Sequence, residues 1–251
     1  MTTMLRLELL RLLRDPVTVF FTALLPAFFY VVFGAAQDFG EVRVGNGDVA
    51  MSVMIAMAAY GAVSATIGIG GAAAVERSQG WGRQLGLTPL EDRTHVTVKV
   101  VLAVLVACVP ITLVYAIGAL TGAEGSLLAW ALSAVVLVLG AAVFSLYGLC
   151  FGLAFRSEAA VAGAGGSVVV LGFLGNIFFP LSGVLLEVAR WTPLYGYASL
   201  ARFPLTEGTL YAADGTVSSE ALWVPLVNVA GWWAVLALVA TWLVRRGRAR
   251  P

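Results

Sequence analysis

Six stretches of the chain carry no charged residue, and each is long enough to cross a bilayer: Val17–Gly34, Val49–Val75, Val100–Ala123, Gly125–Phe155, Ala159–Leu186 and Ala221–Val244. A helix needs about 20 apolar residues, range roughly 17–25, to span the hydrocarbon core. Gly125–Phe155 can cross once with slack but not twice, so the count is six. Of 251 residues, 60% are hydrophobic and 12% charged, whereas a soluble domain carries about 25% charge. So little charge cannot coat a water-facing globule, which excludes a cytoplasmic enzyme, a nucleic-acid module and a disordered chain. The predicted fold class is an all-α integral membrane protein, with 1–251 as one transmembrane domain.

Placement of the basic residues predicts the orientation. With both termini on one side, that side holds Arg6, Arg11, Arg14, Arg77, Arg83, Arg93, Lys99, Arg156, Arg245, Arg246, Arg248 and Arg250. The other side holds Arg43, Arg190 and Arg202, together with most of the acids, from Asp38 to Glu220. Both termini are therefore expected in the cytoplasm, with the chain in a bacterial inner membrane. A signal peptide is disfavoured, because the first apolar run has 18 residues against the usual 7–15.

Residues 1–16 are not a span. Leu5, Leu9, Leu12 and Leu13 share one helical face, and Arg14-Asp15-Pro16 breaks the segment. This pattern reads as an amphipathic interfacial helix, with a frayed basic tail as the bland alternative. Pro26 lies inside the first span and should kink it or free a carbonyl. Residues 76–98 form the longest inner loop. The fifth run is interrupted by Pro180 and Gly183, which predicts a helix ending at Pro180. Arg190, Trp191, Pro193, Tyr195, Tyr197 and Arg202 follow. Residues 180–219 then read either as an outer re-entrant segment with its loop or as a plain interfacial loop with an aromatic belt.

Several chemistries have no support. There is no G-x-x-x-x-G-K-[ST], and Lys99, the single lysine, precedes Val100. One histidine, His95, and two distant cysteines do not make an ordinary zinc site. Cys108 and Cys150 lie in apolar runs and read as buried thiols. The spans hold no carboxylate pair and no arginine ladder, so neither catalytic nor metal residues are assigned. The glycines at 68, 70, 71, 163, 165 and 166, and the pairs Gly118/Gly122 and Gly148/Gly152, read as close helix packing.

Three segments in order carry a family resemblance. They are Leu10-Arg11-Leu12-Leu13-Arg14-Asp15-Pro16 with Pro26 and Phe33-Gly34; Glu76-Arg77…Gly80…Leu85…Thr88-Pro89-Leu90 with Lys99; and Pro180-Leu181-Ser182-Gly183. Together with the six-span layout they resemble the membrane subunits of type 2 ABC exporters, and they depart from the family pattern at Ser78 and Trp81. The resemblance implies two permease copies, as a homodimer or with a sister permease, docked on two separate ATPase subunits that bind ATP and Mg. This chain would hold no cofactor.

The same resemblance implies that Glu76, Arg77, Gly80, Arg83, Leu85, Thr88 and Pro89 form the ATPase-coupling loop. It also implies a substrate path at the dimer seam along spans one, two and five, with Phe29, Tyr60, Ser64, Asn176 and Phe179 as candidate liners. Asn176 reads either as a helix–helix hydrogen bonder or as a substrate contact. The charge-free interior favours a hydrophobic or amphipathic substrate such as a drug, an antibiotic or a lipid-like molecule. A permease for glycans or lipid-linked polymers, and a membrane scaffold that transports nothing, are the competing readings.

Overall fold

A computed structural model describes residues 5–7, 9–10, 14–79, 92–212 and 215–248. The first span, α1, runs Pro16–Ala35. Asp15 caps it: Oδ1 accepts from the amides of Val17 (3.1 Å) and Thr18 (3.3 Å), and Oδ2 from the Thr18 hydroxyl (2.6 Å). Those bonds, the Thr18 hydroxyl first, hold the Asp15 carboxyl below the usual carboxylate range. Pro26 has no amide hydrogen to give its i−4 carbonyl. The helix answers by widening into a π-type turn at Phe20–Leu24 before the proline, with a second at Val31–Ala35.

The remaining helices are α2 (Val49–Ser78), α3 (Asp92–Leu120), α4 (Leu127–Phe155), α5 (Glu158–Leu174), α6 (Gly183–Ala189), α7 (Pro193–Thr206) and α8 (Trp223–Arg248). Two short antiparallel hairpins join them: β1 (Arg43–Val44) with β2 (Gly47–Asp48), and β3 (Thr209–Tyr211) with β4 (Val217–Ser219). Among the described residues five helices are long and apolar enough to cross a membrane, namely α1, α2, α3, α4 and α8; α5 is a shorter apolar helix of 17 residues.

The core sits around α2, whose most apolar stretch is 83% buried against 11% for α8. Small residues make this position possible, because they let neighbouring backbones approach closely. A Cβ added at Gly148 on α4 would run into the Ile67 carbonyl of α2, and one at Gly70 on α2 into the Ser145 carbonyl of α4. Gly152 lies against Ala74 and the Gly71 carbonyl, and Gly71 receives Val161 of α5. Gly61 similarly meets Pro26 of α1 and Pro110 of α3, so three helices converge where one residue has no side chain. The close-packing reading thus holds for Gly70, Gly71, Gly148 and Gly152, and for Gly118, which takes Met54. It does not hold for Gly68, Gly163, Gly165 and Gly166, which face open space, or for Gly122, a turn residue with φ +86°.

One hairpin ties three helix ends together. The Asn46 amide donates to Leu205 O at the end of α7 (2.7 Å), and Asn46 O accepts from Ser126, the residue capping α4 (2.9 Å). Buried Asp48 accepts from the amides of Met51 in α2 and Glu124 before α4, both at 2.7 Å. At the opposite end, Lys99 Nζ lies 3.0 Å from Glu76 Oε2 and joins the end of α2 to the start of α3. Leu5 and Leu9 pack there on Ala65, Ile69, Leu102, Ala103 and Val106, as the apolar face of residues 1–16 predicts. Leu12 and Leu13 lie outside the described residues.

The fifth apolar run is divided differently from the sequence expectation. The helix ends at Leu174, not Pro180, and Asn176 takes the left-handed conformation at φ +57°. A turn over 175–182 then leads into α6. The helix stops early because Asn176 tolerates the left-handed exit that branched apolar residues resist, while Gly175 leaves room for the close approach of Leu194.

Gly148→Val should therefore forbid the α2–α4 approach. Overpacking of this kind costs about 1–3 kcal/mol or more, so the purified variant should melt at least several degrees lower or not be recovered. Gly163→Ala should melt like the parent, and equal behaviour of the two variants would refute the packing account.

Candidate functional site

The first span and α2 meet the turn after α5 through aromatic rings. Phe29 lies 5.7 Å from Phe178 and 6.4 Å from Tyr60, and Tyr60 lies 5.1 Å from Phe178, between centroids. The group extends through Phe33 to Phe29 (5.8 Å) and Phe179 (5.9 Å), and through Phe173 to Phe178 (5.0 Å) and Phe179 (6.2 Å). Most pairs are tilted or edge-on, the arrangement that ring quadrupoles prefer. Phe173 and Phe179 are half exposed, as is Phe28 beside Phe29, so the cluster opens on one side of the chain. The cluster is apolar and, among the described residues, holds no ionic side chain. It can take up a hydrophobic face.

Three of the five liners expected from the sequence, Phe29, Tyr60 and Phe179, belong to this group. Ser64 does not join it; its hydroxyl donates to Tyr60 O one turn back in the same helix (2.8 Å). Asn176 lies in the turn after α5, and its side chain bonds within that turn and not across two helices. Its Oδ1 accepts from the Leu181 amide (2.7 Å), and its backbone carbonyl accepts from Arg202 Nη2 of α7 (2.9 Å). It lies in the turn and shapes the segment that carries Phe178 and Phe179. Phe33, Phe173, Phe178 and Arg202 were absent from the expected set. The spacing of Phe29 and Phe33, four apart on a helix, is a signal that was available. Nothing local marks Arg202, since only the docking of α7 brings it to residue 176.

The segment from α6 to α7 is irregular at 190–192, and α8 satisfies its carbonyls. Asn228 Nδ2 donates to Arg190 O (2.7 Å) and Thr192 O (3.2 Å), while Trp232 Nε1 donates to Trp191 O (2.9 Å). Gly196 allows this approach, because a Cβ there would strike the Asn228 amide. Beside it, buried Glu220 accepts from the Tyr195 hydroxyl (2.8 Å) and lies 3.5 Å from Arg190 Nε; Arg190 Nη1 also pairs with Glu187 (2.6 Å).

Of the expected coupling residues, Glu76 is described and is held by Lys99. Arg77 lies in the last turn of α2, and its side chain is outside the described residues, as are Gly80, Arg83, Leu85, Thr88 and Pro89.

No family profile matches the chain. Over 198 residues, 76% of this chain and 80% of the relative, it is 25% identical to a Bacillus subtilis (strain 168) protein named "Putative transport permease YvfS".

Replacing Asn176 separates its two contributions. Asn176→Ala loses the bond to Leu181 and strains a left-handed residue, about 1–2 kcal/mol together. Asn176→Gly relieves the strain and should be the milder change. Protease cleavage within 175–182 should rise in the order parent, Gly, Ala; an Ala variant cleaved like the parent would contradict this role.

Proposed function

We propose, from the premise that the chain belongs to a type 2 ABC permease-like family of membrane transport proteins, that it is the membrane half of an ATP-driven exporter. Its cargo is a hydrophobic or amphipathic molecule such as a drug, an antibiotic or a lipid-like compound. The observation that carries this reading is the aromatic wall of Phe29, Tyr60 and Phe178, continued by half-exposed Phe173 and Phe179. A second copy facing that side would close a seam lined by rings, with small apolar contacts for the cargo and no charge to desolvate. In this reading α5 is the sixth crossing, since 17 residues rise about 26 Å. The segment 180–206 then re-enters the outer side of the membrane, and both termini are cytoplasmic.

The stretch from Glu76 to Pro89 would seat in the ATPase subunits. Glu76 is suited to transmit their movement because its pairing with Lys99 fastens the loop to both α2 and α3. A push on the loop then tilts the central helix rather than bending a free strand of chain. Alternating access needs two arrangements of the paired subunits, with ATP biasing one of them. The irregular turn at 190–192, already satisfied by α8, would keep the outer segment intact while the seam opens.

The test is ATPase activity of the complex purified in lipid with its P-loop subunits. Phe178→Ala should raise the cargo concentration for half-maximal stimulation about three- to tenfold, the worth of a lost aromatic contact. Basal turnover should persist in that variant. Glu76→Ala should lower stimulated turnover at every cargo concentration. A chain that purifies without any ATPase, or with one indifferent to both variants, would favour the scaffold reading.

A further inference from the structure

Among the described residues Arg202 of α7 has no carboxylate partner, unlike Arg43, which pairs with Glu124, and Arg190, which pairs with Glu187 and Glu220. Glu220 is already shared by Arg190 and the Tyr195 hydroxyl, and Glu207 accepts from the Asn46 side chain. Arg202 is bonded to neutral oxygens instead. Its Nε donates to Ala198 O one turn back (3.4 Å), and its Nη2 donates to Asn176 O in the turn after α5 (2.9 Å). A guanidinium carries more N–H donors than these two bonds use, and Nη1 makes none among the described residues. A part-buried cation held only by carbonyls keeps an uncompensated charge, which an anion would relieve.

Two direct contacts place this charge relative to the aromatic cluster. Asn176 O, its 2.9 Å partner, belongs to the residue two before Phe178, so the guanidinium lies within about 10 Å of the Phe178 backbone. The Phe178 ring in turn meets Tyr60 (5.1 Å) and Phe29 (5.7 Å). In the other direction, Leu205, three residues beyond Arg202, accepts from the Asn46 amide in the hairpin that precedes α2. Tyr60 is eleven residues into α2 from Val49, about 17 Å of helix. Arg202 therefore stands nearer the hairpin than Tyr60 does, with its side chain folded back away from Leu205. Arg202 and Phe178 are part-exposed and Phe179 is half exposed, so charge and rings are both within reach of a molecule from outside the chain.

We propose that Arg202 binds the anionic group of an amphiphile whose apolar body lies against Phe178 and Tyr60. This rests on the exporter reading above and narrows its cargo to molecules that join a carboxylate, sulfate or phosphate to an aromatic or alkyl body. The two carbonyls orient the guanidinium, and its free N–H groups are donors of the kind that pair with such oxyanions. The body meets rings alone, because the charge stands to the hairpin side of them. An anionic phospholipid offers the same chemistry as a cargo molecule, and the test separates the two sources.

The probes are 1-pyrenebutyrate and neutral 1-pyrenebutanol, which share a ring system and differ in charge. Each is titrated against the complex with its P-loop subunits in phosphatidylcholine nanodiscs. The readout is the concentration for half-maximal ATPase stimulation, corrected for partition into empty nanodiscs. The parent should favour the anion about tenfold, the effect of a hydrogen bond to a charged group. R202Q should bring the ratio of the two probes close to one, even if the lost bond to Asn176 weakens both. R202K, which keeps the charge, should retain part of the preference. A ratio near one in the parent, or an undiminished ratio in R202Q, would overturn the inference and leave the cargo reading standing. Stimulation by neither probe would count against the rings as a cargo site and so overturn both. Replacing a minor share of the lipid by phosphatidylglycerol separates the sources: a preference that survives belongs to cargo, and one that vanishes assigns Arg202 to lipid and overturns the narrowing of the cargo.

Discussion

The arrangement depends on the approach of α2 and α4 to backbone contact. In a lipid environment apolar side chains gain little by leaving lipid for protein, so association rests on packing and on hydrogen bonds. Gly70, Gly148 and Gly152 supply the packing by removing the atoms that would hold the two backbones apart. Once α2 is enclosed, α1, α3 and α5 pack on its remaining sides, with Pro26 and Pro110 meeting at Gly61 and Val161 filling the space at Gly71. The central helix thus meets its neighbours at backbone distance along its glycines, while its large side chains, such as Met54, Ile55 and Ile67, fill the core elsewhere.

Backbone accounting is the second constraint. A backbone group that leaves a helix away from water must find a partner within the protein. The carbonyls of the turn at 190–192 accept three bonds from Asn228 and Trp232 of α8; in the turn at 175–182 the Leu181 amide donates to Asn176 Oδ1, and Asn176 O accepts from Arg202. These side chains are polar because the chain beside them is irregular. Asn176 is instructive: an amide in an apolar run invites a functional role, yet its oxygen is occupied by the next turn of its own chain. Through that bond it shapes the turn that carries Phe178 and Phe179.

Much of this organisation was legible in the sequence for direct physical reasons. Apolar length marked α1 to α4 and α8, and the face formed by Leu5 and Leu9 anticipated their contact with α2 and α3. Phe29, Tyr60 and Phe179 were candidates individually, but their sequence positions carry no sign that Phe178 bridges the first two. The glycines were ambiguous in the same way. Gly148 and Gly163 look alike in an apolar run, while one faces a carbonyl and the other open space. The end of α5 was misplaced by six residues because proline is the louder signal, whereas the helix ends where Asn176 turns left-handed.

The sequence by itself determined that this chain lives in a membrane, where its long helices fall and which ends carry the positive charge. Those properties follow from apolar length and charge placement, which sum along the chain without reference to partners. Tertiary structure alone decided which glycines are contacts, that Asn176 closes a turn, and that Lys99 holds Glu76. Each of these depends on the rotation and offset of one helix against another. That rotation is set by the shapes of residues distant in sequence, so no local pattern encodes it.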